Sequence, residues 1–289
     1  MSLFQIVKYK TFFRPLKTHE VIIFYFSASS FWHYLFLDCF SSLPNMTYLE
    51  YPITAVTLLY LMKLGKIETK ALINIYPIKF MDRCVFGELS FVTLILIATG
   101  VGAWAILVFL ESKFISVSWS YNYWDLISPD EFRSLTWSRS WMIADLACVA
   151  LIAPINEELI FRGLLLNNLL RRYCPVRAIL VSSIIFCALH INKNFLGAFL
   201  HSVIFSILAI RTSSVYSSII AHGSYNFLTA IFRAVFGLSL TADILKIDNI
   251  YYWTEELILF CFGLIATASY IFLFFRSGRF RKVVTFEAS

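Results

Sequence analysis

Residues 89–110, LSFVTLILIATGVGAWAILVFL, contain no ionisable side chain. Wound as an α-helix, such a run reaches about 30 Å, the thickness of the hydrocarbon core of a bilayer. A helix also satisfies its own backbone N–H and C=O groups, which lipid cannot do. A second run, 257–275 (LILFCFGLIATASYIFLFF), likewise carries no Asp, Glu, Lys, Arg or His. The two stretches commit the chain to a helical membrane fold. Composition agrees: 59% of the 289 residues are hydrophobic and 15% charged, against roughly 45–50% and 25% in soluble domains.

Apolar segments that are shorter or carry an isolated polar residue, at 21–37, 51–62, 140–156, 178–191, 195–210 and 214–232, complete the expected set. The sequence therefore predicts an all-α, polytopic membrane protein of about eight transmembrane helices, with any active site inside the bundle. Several segments are short for a 30 Å crossing, so tilted, re-entrant or longer helices are expected among them. No linker-like stretch, internal repeat or low-complexity tract divides the chain. The reading is of N-terminal membrane helices and an extracytoplasmic loop over 1–139, a core over 140–235, and a C-terminal transmembrane helix with a basic cytoplasmic tail over 236–289.

The formal charge of +6 falls in clusters between apolar segments. Threading eight spans from a cytoplasmic N-terminus puts the Lys/Arg groups at 8–17, 63–83, 162–177 and 276–282, with Arg211, on the inside. Lys113, Arg133, Arg139, Lys193, Arg233 and Lys246 then face out. This is the positive-inside pattern of a multi-pass protein with both termini cytoplasmic, not the footprint of a nucleic-acid binder. The apolar run from Val21 begins far from Met1 and lacks a small-residue cleavage site, which reads as a retained helix. The six cysteines form no CxxC pair, so neither a zinc site nor a disulfide framework is indicated.

Against this background the polar residues left in or beside apolar segments are few: Asp145, Glu157, Glu158, Arg162, His190, His201, His222 and Asn226. Ionisable groups are costly there and are functional candidates by default. Each has a plainer reading. Pro154 and Asn156 precede the glutamate pair, so INEELIFRG can be a helix start with carboxylates in the first turn and a Glu158–Arg162 pair at i,i+4. His190 ends the run AILVSSIIFCALH as an interfacial residue would. His222 and Asn226, four apart on one helical stripe, can be an interhelical hydrogen-bonding pair, and so can His201.

Taken together, three motifs in order, E-E-x-x-x-R, F-x-x-x-H and H-x-x-x-N, each on its own predicted helix, supply the parts of a hydrolytic site. There is a carboxylate for a general base, an imidazole to share proton traffic, and donors for an oxyanion. Desolvation strengthens a carboxylate as a base, and imidazole titrates near neutrality.

At Glu157, Glu158 and Arg162, at Phe186 and His190, and at His222 and Asn226, the sequence resembles the CAAX protease and bacteriocin-processing family, also called the Abi family, which includes the type II CAAX prenyl endopeptidases. The likeness covers roughly residues 140–235. It implies an α-helical intramembrane protease of the glutamate type, needing no cofactor. In it Glu157 and His190 activate a water, His222 and Asn226 stabilise the oxyanion, and Glu158 and Arg162 organise the site. The implied partners are membrane lipid and a peptide or protein substrate, lipidated substrates included. The expected location is the bacterial inner (cell) membrane.

Two other readings stay open at this point. Two glutamates and two histidines are also potential metal ligands, although no HExxH run is present. A non-proteolytic membrane scaffold or bacteriocin-immunity protein would share the fold.

Overall fold

The computed structural model describes residues 17–40, 50–66, 83–123, 146–191, 194–236 and 242–276. All regular structure among them is helical. In chain order it comprises α1 (Thr18–Phe40), α2 (Glu50–Leu64), α3 (Arg83–Phe114) and the short α4 (Val117–Tyr123). The helical run over 148–170, α5, is built from a π-helical turn Cys148–Ile152, an α-helical turn Ala153–Glu158, a second π-helical stretch Leu159–Leu166 and a last turn Asn167–Leu170. Then follow α6 (Pro175–Ala188), α7 (Phe195–Thr212), α8 (Val215–Phe236), a 3₁₀ turn Ile250–Trp253 and α9 (Thr254–Arg276).

Among the described residues three helices are long and apolar enough to cross a membrane: Phe86–Phe114, Phe195–Thr212 and Ile250–Arg276. This is the composition of a membrane protein, and of the roughly eight spans that the sequence predicts these three are found among the described residues. Pro52–Leu64 and Pro175–Ala188 are apolar yet shorter. The fourteen residues of α6 rise about 21 Å, well under the hydrocarbon thickness. α8 is long, but Ser217, Ser218, His222 and Asn226 lower its apolarity. The segment expected at 140–156 falls partly outside the described residues, as does Asp145.

Helix α3 is the spine, packed by α7, α8 and α9. Close approach of α9 requires Gly102: a Cβ there would collide with Phe260 and the Glu256 carbonyl. Leu96, Ile204, Phe205, Leu208, Tyr270 and Phe274 belong to the core cluster that joins α3, α7 and α9. On the opposite flank Val21, Tyr25, Leu58 and Met62 bring α1 and α2 against Ile160, Phe161 and Leu164 of α5 and Phe186 of α6. Trp104 and Trp253 pack edge to face at 5.3 Å and fasten the 242–253 segment to α3. Two apolar flanks thus hold α5, α6, α7 and α8 around a polar interior.

Candidate active site

The site begins with the path of α5. Pro154 and Asn156 suggest a helix start, but the helix begins earlier and continues through the glutamates to Leu170. The helix-start reading of Glu157 and Glu158 is therefore overturned. These carboxylates sit mid-helix, where a terminal dipole does not account for them. Two π-helical stretches flank the turn that carries them, a local widening often found at functional sites.

Glu158 is at the centre. Its side chain and that of Arg162 are both fully buried. Oε1 accepts from Arg162 Nη1 at 2.9 Å and from His222 Nδ1 at 2.9 Å. Arg162 Nη2 also donates to the Ser202 carbonyl at 3.0 Å and to Ser202 Oγ at 2.8 Å. The guanidinium lies 5.0 Å from the Phe186 ring centroid and 5.2 Å from that of Phe205, within cation–π range. One fork thus ties α5 to α7, and one carboxylate ties α5 to α8.

The chemical consequence falls on His222. A carboxylate accepts hydrogen bonds, so the imidazole presents Nδ1–H to Glu158. Its other nitrogen, Nε2, then faces Glu157 Oε2 at 3.9 Å. That is too long for a direct hydrogen bond and within the span of one shared water. Glu157 Oε2 is buried and has no protein hydrogen-bond partner among the described residues, although the side chain as a whole is 29% exposed. Phe205 stacks on the His222 ring at 4.7 Å and 21°, fixing its plane.

His190 sits in the turn after α6. Its Nδ1 donates to the Phe186 carbonyl at 2.8 Å, which leaves Nε2 free to act. Its ring also stacks on Phe186 at 4.4 Å. The F-x-x-x-H spacing therefore works twice, through backbone and ring. Phe186 in turn meets the edge of His222 at 6.4 Å and packs on Phe161 at 4.8 Å. Asn226, one turn beyond His222, donates through Nδ2 to the Val149 carbonyl at 2.8 Å. One of its two amide hydrogens is thus used on α5, and the other remains available for a second acceptor.

Of the residues singled out in the sequence, Glu157, Glu158, Arg162 and His222 form one contact chain. His190 joins it through Phe186, and Asn226 through α5. The imidazole in reach of Glu157 is that of His222, whereas the resemblance pairs Glu157 with His190. His201 stands apart: its Nε2 meets Thr99 Oγ1 at 3.2 Å, and its ring abuts Tyr225 at 4.6 Å. It is an α7–α3 contact. Among the described residues no group of three or more His, Cys, Asp or Glu side chains is arranged to hold a metal ion.

Sequence reasoning missed Ser202 and Phe205, which carry the support of Arg162 and His222 from a helix without any motif. The single hint was Ser202 and Ser206 at helical spacing in an apolar run; Ser206 Oγ donates to the Ser202 carbonyl at 2.8 Å. It also missed the Val149 carbonyl, which no side-chain pattern reveals.

Residues 139–228 match the protein family described as Type II CAAX prenyl endopeptidase Rce1-like. The matched stretch includes all three motifs, the whole of α5 and α6, and α8 as far as Leu228. No curated protein and no solved structure matches the chain.

Proposed function

We propose that this protein is an intramembrane endopeptidase that hydrolyses a peptide bond of a membrane-associated protein or peptide, prenylated CAAX-type substrates included, through a glutamate-activated water. The observation that carries the reading is the ordered chain Arg162–Glu158–His222, with Oε2 of Glu157, unpartnered among the described residues, facing Nε2 of His222 at 3.9 Å. A packing contact needs one partner for each polar group. This arrangement instead leaves a buried carboxylate oxygen and a fixed imidazole nitrogen aimed at one another across the space of a water.

In the proposed reaction Glu157 takes a proton from a water held in that gap. The water oxygen adds to the scissile carbonyl carbon, and the carbonyl oxygen becomes the oxyanion. The second amide hydrogen of Asn226, and Nε2–H of His222 when both of its ring nitrogens are protonated, stabilise that charge. The proton held by Glu157 goes to the leaving amine as the C–N bond breaks. Glu158 and Arg162 do no proton transfer: they hold His222 in register. The family match to residues 139–228 supports this assignment. We assign the reaction to the 140–235 unit, with α1, α2 and α9 as its membrane support.

The test is turnover of a panel of prenylated and unprenylated peptides by the detergent-purified protein, beside Glu157→Gln and with or without chelator. The expected result is cleavage that falls by about 10²–10⁴ in the variant, the span of a lost general base, and that ignores chelator. Inhibition by chelator reversed by added metal would overturn the glutamate mechanism. Equal inertness of wild type and variant would shift the reading to a non-catalytic scaffold.

A further inference from the structure

A proline inside a helix withholds one backbone N–H, and in a lipid-surrounded bundle the carbonyl it deserts must find another donor. Pro154 stands at such a place in α5, four residues before Glu158. In α register its missing N–H would have bonded the Ala150 carbonyl; in π register, the Val149 carbonyl. The amide of Ala153 cannot substitute in α register at Val149, because it closes the π turn onto the Cys148 carbonyl.

Both carbonyls face α8. The Val149 carbonyl takes Nδ2 of Asn226 at 2.8 Å. The Ala150 carbonyl lies against Gly223, where a Cβ would stand 2.7 Å from that oxygen, so only a glycine lets the α8 backbone come this close. Gly223 and Asn226 are three apart on α8, on the same stripe. His222 lies next to Gly223 in the chain, and its Nδ1 reaches Glu158 a single turn after Pro154.

We propose that Pro154 is a positioning residue for Asn226: by withholding a hydrogen bond from the 148–152 turn, it leaves the Val149 carbonyl open to the Asn226 amide. This docks α8 on α5 and sets the second amide hydrogen of Asn226 beside His222. That Asn226 serves peptide hydrolysis rests on the proposed function; the docking itself does not.

The test is a double-mutant cycle on the full chain in detergent micelles, read first by thermal unfolding, which needs no substrate. In the wild-type background Asn226→Ala removes a half-buried hydrogen bond and is expected to lower Tm by about 2–4 °C. In Pro154→Ala a backbone N–H competes for the same carbonyl, and Asn226→Ala is expected to cost less than about 1 °C there. Equal losses in the two backgrounds would overturn the proposal. If Pro154→Ala does not yield folded protein, Pro154→Ser restores the same N–H and replaces it in the cycle.

The second readout is kinetic, on a farnesylated peptide that the wild type cleaves. Pro154→Ala is expected to lower kcat about tenfold with KM within about twofold, because the misplaced donor acts in the transition state. A change in KM alone would overturn the positioning role. If the wild type cleaves no peptide, the hydrolytic reading fails, while the thermal cycle still decides whether Pro154 sets Asn226.

Discussion

Replacing Arg162 by Met should destabilise the protein far more than an ordinary core change, and a second substitution should undo most of the loss. The wild-type guanidinium is fully buried and makes three polar contacts: Glu158 Oε1 at 2.9 Å, the Ser202 carbonyl at 3.0 Å and Ser202 Oγ at 2.8 Å. Met fills the volume but leaves the Glu158 carboxylate, also fully buried, with only the imidazole of His222. Stranding one member of a buried pair costs about 3–5 kcal/mol. At roughly 2–4 °C per kcal/mol for a domain of 150–250 residues, the fall in Tm is on the order of 10 °C. Removing both charges strands neither, so Glu158→Leu with Arg162→Met should return to within about 2 kcal/mol of wild type. Hydrolysis should stay abolished in that double variant, because His222 has lost the acceptor that fixes Nδ1–H. The assay is thermal unfolding in micelles by circular dichroism, with peptide turnover alongside. A loss below about 1 kcal/mol for Arg162→Met, or a double variant no more stable than the single one, would refute this account of the site.

Other expectations follow from the same contacts. Ser202→Ala removes one acceptor from the Arg162 fork and should cost about 1–2 kcal/mol, while Ser202→Thr, which keeps the hydroxyl, recovers most of it in the same unfolding assay. Phe186→Leu keeps the apolar contact with Phe161 but loses the stack under His190 and the edge against His222; kcat should fall about tenfold or more with a smaller change in Tm, measured by steady-state kinetics beside unfolding. Asn194 caps α7 by accepting from Gly197 N at 3.0 Å and donates to the Gly100 carbonyl at 2.7 Å; Asn194→Ala should lower stability by about 1–2 kcal/mol, read as a Tm shift.

Much of this architecture can be read from the sequence because lipid makes the rules strict. Residues 89–110 and 257–275 lie within the two longest candidate spans, and 195–210 within the third. The motif spacing also foretells local contacts: residues four apart on a helix share a face, which is why Glu158 meets Arg162 and why Phe186 lies under His190. The reading of α5 fails for a local reason. Proline, asparagine and two carboxylates in a row are the ordinary signals of a helix N-terminus, and nothing local shows that a π turn and an amide on a helix more than seventy residues away let the helix pass through Pro154. The roles of Ser202 and Phe205 are hard to read for the complementary reason. Their importance lies in what reaches them from α5 and α8, and sequence spacing carries no information about partners on other helices.

The adjacent glutamates hold the strongest internal argument for a divided site. Successive residues on a helix point about 100° apart, so Glu157 and Glu158 cannot share an environment. Glu158 turns inward to the Arg162–Ser202–His222 lattice and is fully buried. Glu157 turns toward the free nitrogen of His222 and keeps 29% of its side chain exposed. Neighbouring carboxylates in contrasting surroundings are a recurring way to give the same chemical group two jobs. The neutral amide variants should therefore separate. Glu157→Gln is expected to leave Tm within about 2 °C while reducing kcat by 10² or more, since no protein hydrogen bond to Oε2 is lost and the base is. Glu158→Gln exchanges a charged acceptor for a neutral one between Arg162 and His222. It should lower both Tm, by about 5 °C or more, and kcat. Matching stability losses in the two variants would mean that both glutamates belong to the lattice, and the base would have to be sought elsewhere, with His190 the next residue to substitute.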